Sequence, residues 1–230
     1  MCKRLNYFKI MKKLVFCLLF FLPITLFSQE SVSPKFKKFE LGYSYSADYS
    51  YRNIKSNETN RDIINLYDTI ESAKYGYTTG INGTYFKSNK LSFSLGCLLS
   101  DKGEKSELFI NSTIIKLKNH YYYLDIPIKA NYYFLKENNK FYVTAGISSN
   151  IFLFSTISNF SNEKAGKNNI NLNTVNFAAL GGVGFDFSLS DSWHFKSELL
   201  YRHSLQPIMD SPIKRSLFSI GLNFGFSYRF

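Results

Sequence analysis

The stretch Leu222-Asn223-Phe224-Gly225-Phe226-Ser227-Tyr228-Arg229-Phe230 constrains the fold more than any other part of the chain. Large apolar side chains fill every second position, and asparagine, glycine, serine and arginine stand between them. Successive side chains of a β-strand point to opposite faces, so one face of this strand is wholly apolar. Such a face needs an apolar solvent. The small and polar residues opposite suit a narrow, filled interior.

The same alternation recurs in seven earlier segments. The first, Phe39 to Tyr51, sets Phe39, Leu41, Tyr43, Tyr45, Ala47, Tyr49 and Tyr51 on one face. The second runs from Tyr75 to Phe86, with Tyr75, Tyr77, Ile81 and Tyr85 against Thr78, Gly80, Asn82 and Thr84. The third has Leu91, Phe93, Leu95, Cys97 and Leu99 outward, and the fourth, His120 to Phe134, has Tyr122, Leu124, Ile126, Ile128, Ala130, Tyr132 and Phe134. Phe141, Val143, Ala145, Ile147, Ile151 and Leu153 mark the fifth; Val175, Phe177, Ala179, Val183, Phe185 and Phe187 the sixth; Trp193, Phe195, Leu199 and Tyr201 the seventh. A period of two sustained in this way is a strand signal and far from the helical period.

The connections alternate as well. Residues 52–74, 101–119, 155–173 and 205–214 read as long polar loops, whereas 87–90, 135–140 and 188–192 read as tight turns. Long loops at one end and short turns at the other is the arrangement of membrane barrels. Tyrosines 121–123 enter the fourth strand, and Tyr132, Tyr133 and Phe134 leave it. Ten residues at ~3.3 Å each, tilted by ~40°, rise ~25 Å, the spacing of two interfacial girdles. The expected fold is all-β: an eight-stranded antiparallel up-and-down transmembrane β-barrel.

Composition and targeting agree. Lys12 and Lys13 precede an apolar run from Leu14 to Leu26, and Ser28 offers a cleavage point. Residues 1–28 therefore read as a cleaved signal peptide and 29–230 as the barrel domain. The apolar run is shorter than the ~20 residues of a spanning helix. Removing Lys3, Arg4, Lys9, Lys12 and Lys13 lowers the formal charge from +11 to +6. For an exported basic chain the counter-charge is anionic lipopolysaccharide and outer-membrane lipid, not nucleic acid. Only Cys97 survives cleavage of the signal, so no intramolecular disulfide or cysteine metal cluster is expected.

The inward faces carry charge. Asp125, Pro127, Lys129 and Asn131 share one face of the fourth strand; Asp186, Lys196, Glu198 and Arg202 lie inward on the sixth and seventh. An eight-stranded barrel is just wide enough to be filled by side chains, and an unpaired ion there costs several kcal/mol. The expectation is a neutral set of Asp125, Lys129, Glu198 and Arg202 with Lys129 reaching toward Glu198, a polar plug and not an ion path. Pro127 has no ladder donor and reads as a bulge.

Candidate chemistry is sparse. His203 and Ser204 are neighbours in sequence, but adjacent strand residues point to opposite faces, and the His-x-Ser-Asn pattern of lipid A deacylases is absent. Gly181-Gly182-Val183-Gly184 lies within a strand and is not followed by a helix, which argues against phosphate binding. No catalytic residue, metal ligand or cofactor is assigned, and the chain is read as not an enzyme.

Tyr123-Leu124-Asp125-Ile126-Pro127-Ile128-Lys129-Ala130-Asn131-Tyr132 resembles the Tyr-Leu-Glu-Ile-Pro strand of the PorT-like outer-membrane β-barrel family, with Asp125 in place of the commoner glutamate. Leu98-Leu99-Ser100-Asp101-Lys102-Gly103 resembles that family's third strand and Glu198-Leu199-Leu200-Tyr201-Arg202 its seventh; His203-Ser204 follow where the family often has glycine. The row Phe224, Phe226, Tyr228 and Phe230 is similar to the signal read by the outer-membrane barrel assembly machinery. The resemblance implies an integral outer-membrane location and partners among secretion-system proteins. The expected function is a structural or binding scaffold acting through surface loops. The alternatives are an accessory of a gliding or type IX secretion assembly and, behind that, a lipid-modifying outer-membrane enzyme.

Overall fold

The computed structural model describes residues 37–55, 69–110, 113–134, 139–159, 164–167, 172–209 and 214–230. The signal peptide expected at 1–28 lies outside them. The described residues form nine strands: β1 (Phe39–Lys55), β2 (Glu71–Phe86), β3 (Leu91–Ile110), β4 (Thr113–Tyr133), β5 (Asn139–Asn159), β6 (Lys164–Lys167), β7 (Val175–Ser188), β8 (Trp193–Ser204) and β9 (Lys214–Arg229). Eight of them close an antiparallel ring, β1-β2-β3-β4-β5-β7-β8-β9 and back to β1, while β6 pairs only with β5. Closure leaves the ring without an open edge, which a sheet in lipid requires.

The inside-out pattern follows from the two solvents. Leu41, Tyr43, Ile81, Leu95, Leu99, Ile128, Ile147, Leu199, Leu222 and Phe226 are all exposed on the outer face. Serines, threonines, asparagines and charged groups fill the inside, where Ser46, Thr78, Ser92, Asn131 and Asn176 are buried. Aromatic rings collect at two heights. At the short-turn end, Phe39 packs on Tyr85 and Phe230, Trp193 on Tyr228, and Phe141 on Phe134 and Phe185. At the other end Tyr49 packs on Tyr75, Tyr122 on Phe154, and Tyr51 and Tyr201 on Phe218. Tyrosine suits such a border because its ring is apolar and its hydroxyl reaches water.

Two expectations need correction. Residues 101–119 are not a loop: β3 and β4 continue as a paired ribbon to Ile110 and from Thr113. Their outer face turns polar beyond Leu99 and Tyr122, so the apolar alternation stops although the strands do not. Pro127 is not at a bulge. The β3–β4 pairing is interrupted between Leu95–Ile128 and Leu98–Asp125 but keeps its register, and Pro127 still faces Ser148 on β5. Gly96 accommodates the proline ring, since a Cβ there would stand 3.0 Å from Pro127 Cγ.

Irregularities do occur elsewhere. The β2–β3 register shifts between Ala73 and Tyr77, and the β4–β5 register shifts where Tyr122 and Tyr123 face Phe154 and Phe152. Leu153 is the extra residue, so Leu153 and Phe154 are both exposed to the outside. Near the first irregularity Gly103 adopts φ +143°, and a Cβ there would collide with the Asn119 carbonyl oxygen. That steric demand accounts for glycine in Asp101-Lys102-Gly103.

Candidate functional site: the charged lumen

Inward alternation on the ring strands delivers ionic groups to one narrow space, and they sort into tiers. At the short-turn end, Arg229 donates to Glu40 at 2.8 Å and to Asp186 at 3.0 Å. Lys196 donates to Glu40, and His194 Nδ1 lies 2.8 Å from the other oxygen of Asp186. The Arg229 guanidinium sits 4.0 Å from the centre of the Phe86 ring. Phe86, Tyr133 and Tyr142 form a buried cluster at this level.

The middle tier holds the residues singled out in the sequence. Lys129 Nζ donates to both oxygens of Glu198, at 3.0 and 2.8 Å, and Asn223 donates to Glu198 at 3.1 Å. The other two members of the expected set go elsewhere. Arg202 donates to Asp48 at 2.8 Å, and Asp125 accepts from Lys102 at 2.8 Å. Asp48 also accepts from Ser46 and Thr78. Asp125, Lys129, Glu198 and Arg202 thus belong to three ion pairs instead of one cluster. The reason is geometric: strand tilt and the stagger of a closed barrel decide which inward residues face one another across it.

Beyond this tier, Arg52 pairs with Glu71, while Lys74 on β2 reaches Asp101, on the outward side of β3, and donates to it at 2.5 Å. Glu104, almost fully buried, accepts from Tyr121 at 2.6 Å and Asn119 at 3.2 Å. Tyr121, Tyr123, Ile208 and Leu217, with Phe152 and Leu172 against them, make an apolar layer here. Between the two aromatic layers lies a cavity of about 70 Å³ lined by Asp125, Lys129, Asn131, Tyr142, Glu198 and Arg202. It has room for a few waters and not for a solute.

Sequence reasoning did not reach Glu40, Asp48, Lys102 or Arg229 as partners. Each lay on an inward face, and only the register assigns it a mate. His203 and Ser204 are not brought together: Ser204 is buried, while His203 stacks on Tyr201 across a 9° interplanar angle. Phe224, Phe226, Tyr228 and Phe230 form an exposed outward row, and the Phe230 amide donates to the Phe39 carbonyl at 2.9 Å, closing β9 on β1.

Comparison with known proteins agrees with this architecture. A family model described as an outer membrane protein beta-barrel domain matches residues 27–210. The Neisserial surface protein NspA is 16% identical with a TM-score of 0.52, covering 84% of this chain and 97% of its own. Two further solved structures align with lower scores. They are Ail of Yersinia pestis (13% identity, TM-score 0.41, 84% of this chain and 99% of its own) and the outer membrane protease OmpT of Escherichia coli (8%, 0.45, 88% and 99%). No curated protein sequence matches significantly.

Proposed function

The chain belongs to the family of outer membrane protein beta-barrel domains, and we propose that it works as a closed barrel acting from its outer surface and not as a pore. The observation that carries this reading is the cross-barrel pair of Lys129 and Glu198, bonded through both carboxylate oxygens in the middle of the lumen. With Arg202–Asp48 and Lys102–Asp125 beside it, the ions satisfy one another instead of a passing solute. The tall β3–β4 ribbon is the natural binding element, because it stands above the outer aromatic girdle. Lipopolysaccharide and a surface protein are the partners proposed for it. The outward row ending in Phe230 is proposed as the feature recognised by the assembly machinery.

A second reading, an accessory of a protein secretion assembly, is favoured by one observation: the Ile126-Pro127 strand with its likeness to PorT-like barrels.

Orientation is the first thing to test. In a Cys97→Ser background, a cysteine at Glu107 should react with a membrane-impermeant maleimide on intact cells, and one at Ser190 in the short turn should not. The reverse pattern would place the ribbon in the periplasm and overturn the surface-binding reading. Replacing residues 107–116 with a short Gly-Ser turn should then abolish partner capture without preventing barrel formation.

A further inference from the structure

Where the outer face turns from apolar to polar, three residues form one diagonal row across β3, β4 and β5. His120 Nδ1 lies 2.9 and 3.1 Å from the two oxygens of Asp101, and His120 Nε2 lies 3.2 Å from Ser158 Oγ. A carboxylate only accepts, so Nδ1 carries the proton and donates to Asp101. Nε2 is then the acceptor for the serine hydroxyl. This is the order of a nucleophile, its base and the group that orients the base.

The register explains how three distant residues meet. His120 pairs with Gly103 on one side and Thr156 on the other, which puts Asp101 and Ser158 two residues away on opposite diagonals. The Asp101 side chain is 7% exposed and the His120 ring 19%. Lys74 fixes the carboxylate from behind, and Tyr122 stacks on the imidazole with 9° between the rings. The row climbs away from the apolar face: Asp101 is level with its partner Tyr122 and with Phe154, His120 stands one outward step beyond Tyr122, and Ser158 stands two beyond Phe154, across the level where lipid headgroups begin. Beside it, Lys118 is the cross-strand partner of both Ser158 and Lys105. Lys105 Nζ lies 5.8 Å from the centre of the Tyr75 ring, and the two cations give this end of the row a positive charge that favours an anionic headgroup.

We infer that Asp101, His120 and Ser158 form a lipid esterase site on the outer face of the barrel, acting on a fatty-acyl ester that lies beside a phosphate. Ser158 Oγ attacks the ester carbonyl while its proton passes to His120 Nε2. The carbonyl–alkoxy bond then breaks, and the leaving alcohol takes that proton, leaving an acyl-serine. Water attacks next with the same base, releasing the fatty acid and restoring the hydroxyl. Asp101 is a positioning residue that holds the tautomer. Lys105 and Lys118 hold the phosphate. Sequence alone could not reveal this row, because it is diagonal across three strands, whereas His203 and Ser204 are adjacent only in sequence.

The test uses the full-length barrel refolded in detergent, with the heat-dependent shift on SDS gels as the check of folding. A fluorophosphonate should phosphonylate Ser158, and S158A should remove that adduct. Fatty acid release should be measured from phosphatidylglycerol vesicles and from lipid A micelles, and whichever is hydrolysed identifies the source of the phosphate. S158A and H120A should lower kcat at least about 1,000-fold. D101N should lower kcat and leave KM within about twofold, whereas D101E should restore part of the rate. K105A with K118A should raise KM for the phosphorylated lipid. No release from either lipid by folded wild-type protein, or equal release by S158A, would overturn the proposal. An open lumen would contradict the closed-barrel reading and leave this result untouched.

Discussion

At the scale of single residues, the stability of the lumen depends on which ion meets which. Lys129 is about one-fifth exposed, but Glu198 is almost fully buried, so removing the cation strands a carboxylate. Lys129→Met should destabilise the barrel by about 3 kcal/mol in reversible unfolding from lipid or detergent. Adding Glu198→Gln should return at least about 1 kcal/mol, because the coupling between paired groups is what a double-mutant cycle isolates. The corresponding cycle for Lys129 and Asp125 should be additive within about 0.5 kcal/mol, since Asp125 is held by Lys102. Strong coupling there would restore a single four-membered cluster. Gly221 gives a steric test of the neighbouring pair. Its missing Cβ would fall on Asp48 Oδ1 and stand 2.9 Å from Arg202 Nη1. Gly221→Ala should cost about 1–3 kcal/mol by forcing the pair apart, and an unchanged unfolding midpoint would mean that the Asp48–Arg202 contact has slack.

At the scale of elements, each strand answers to two solvents at once. Leu222 faces outward between Ala47 and Leu199 on the flanking strands. Leu222→Arg should therefore cost about 2–4 kcal/mol, less if the site lies near a membrane interface, and should lower the folded fraction recovered in vesicles. A neutral effect would place this face away from lipid. The same double constraint explains what could be read without coordinates. Where lipid touches the sheet, alternation is enforced, and the outward rows of all eight ring strands stand out in the sequence. Where β3 and β4 rise beyond Leu99 and Tyr122, water bathes the outer face, so the ribbon of residues 101–119 reads as loop. The irregularity at Leu153 stayed hidden because isoleucine, phenylalanine and leucine all suit a lipid surface. Pro127 signalled a disturbance, but Gly96 opposite absorbs it without a shift in register.

At the scale of the whole molecule, closure decides both stability and function. Eight strands bring the walls close enough for side chains to meet across the interior, and the sequence was sufficient to show that those side chains are charged. It could not show their pairing, which depends on tilt and stagger, nor the outer row of Asp101, His120 and Ser158, which depends on two successive diagonals. The aromatic layers around Phe86 and around Tyr121 bound an interior with a cavity of only about 70 Å³. Conductance across planar bilayers containing the folded wild-type protein is the most direct measurement of this arrangement. A barrel closed by Lys129–Glu198 and its neighbouring ion pairs should give no steady ion channels at any applied voltage that the bilayer survives. Reproducible steady channels, absent when heat-unfolded protein is added, would contradict it.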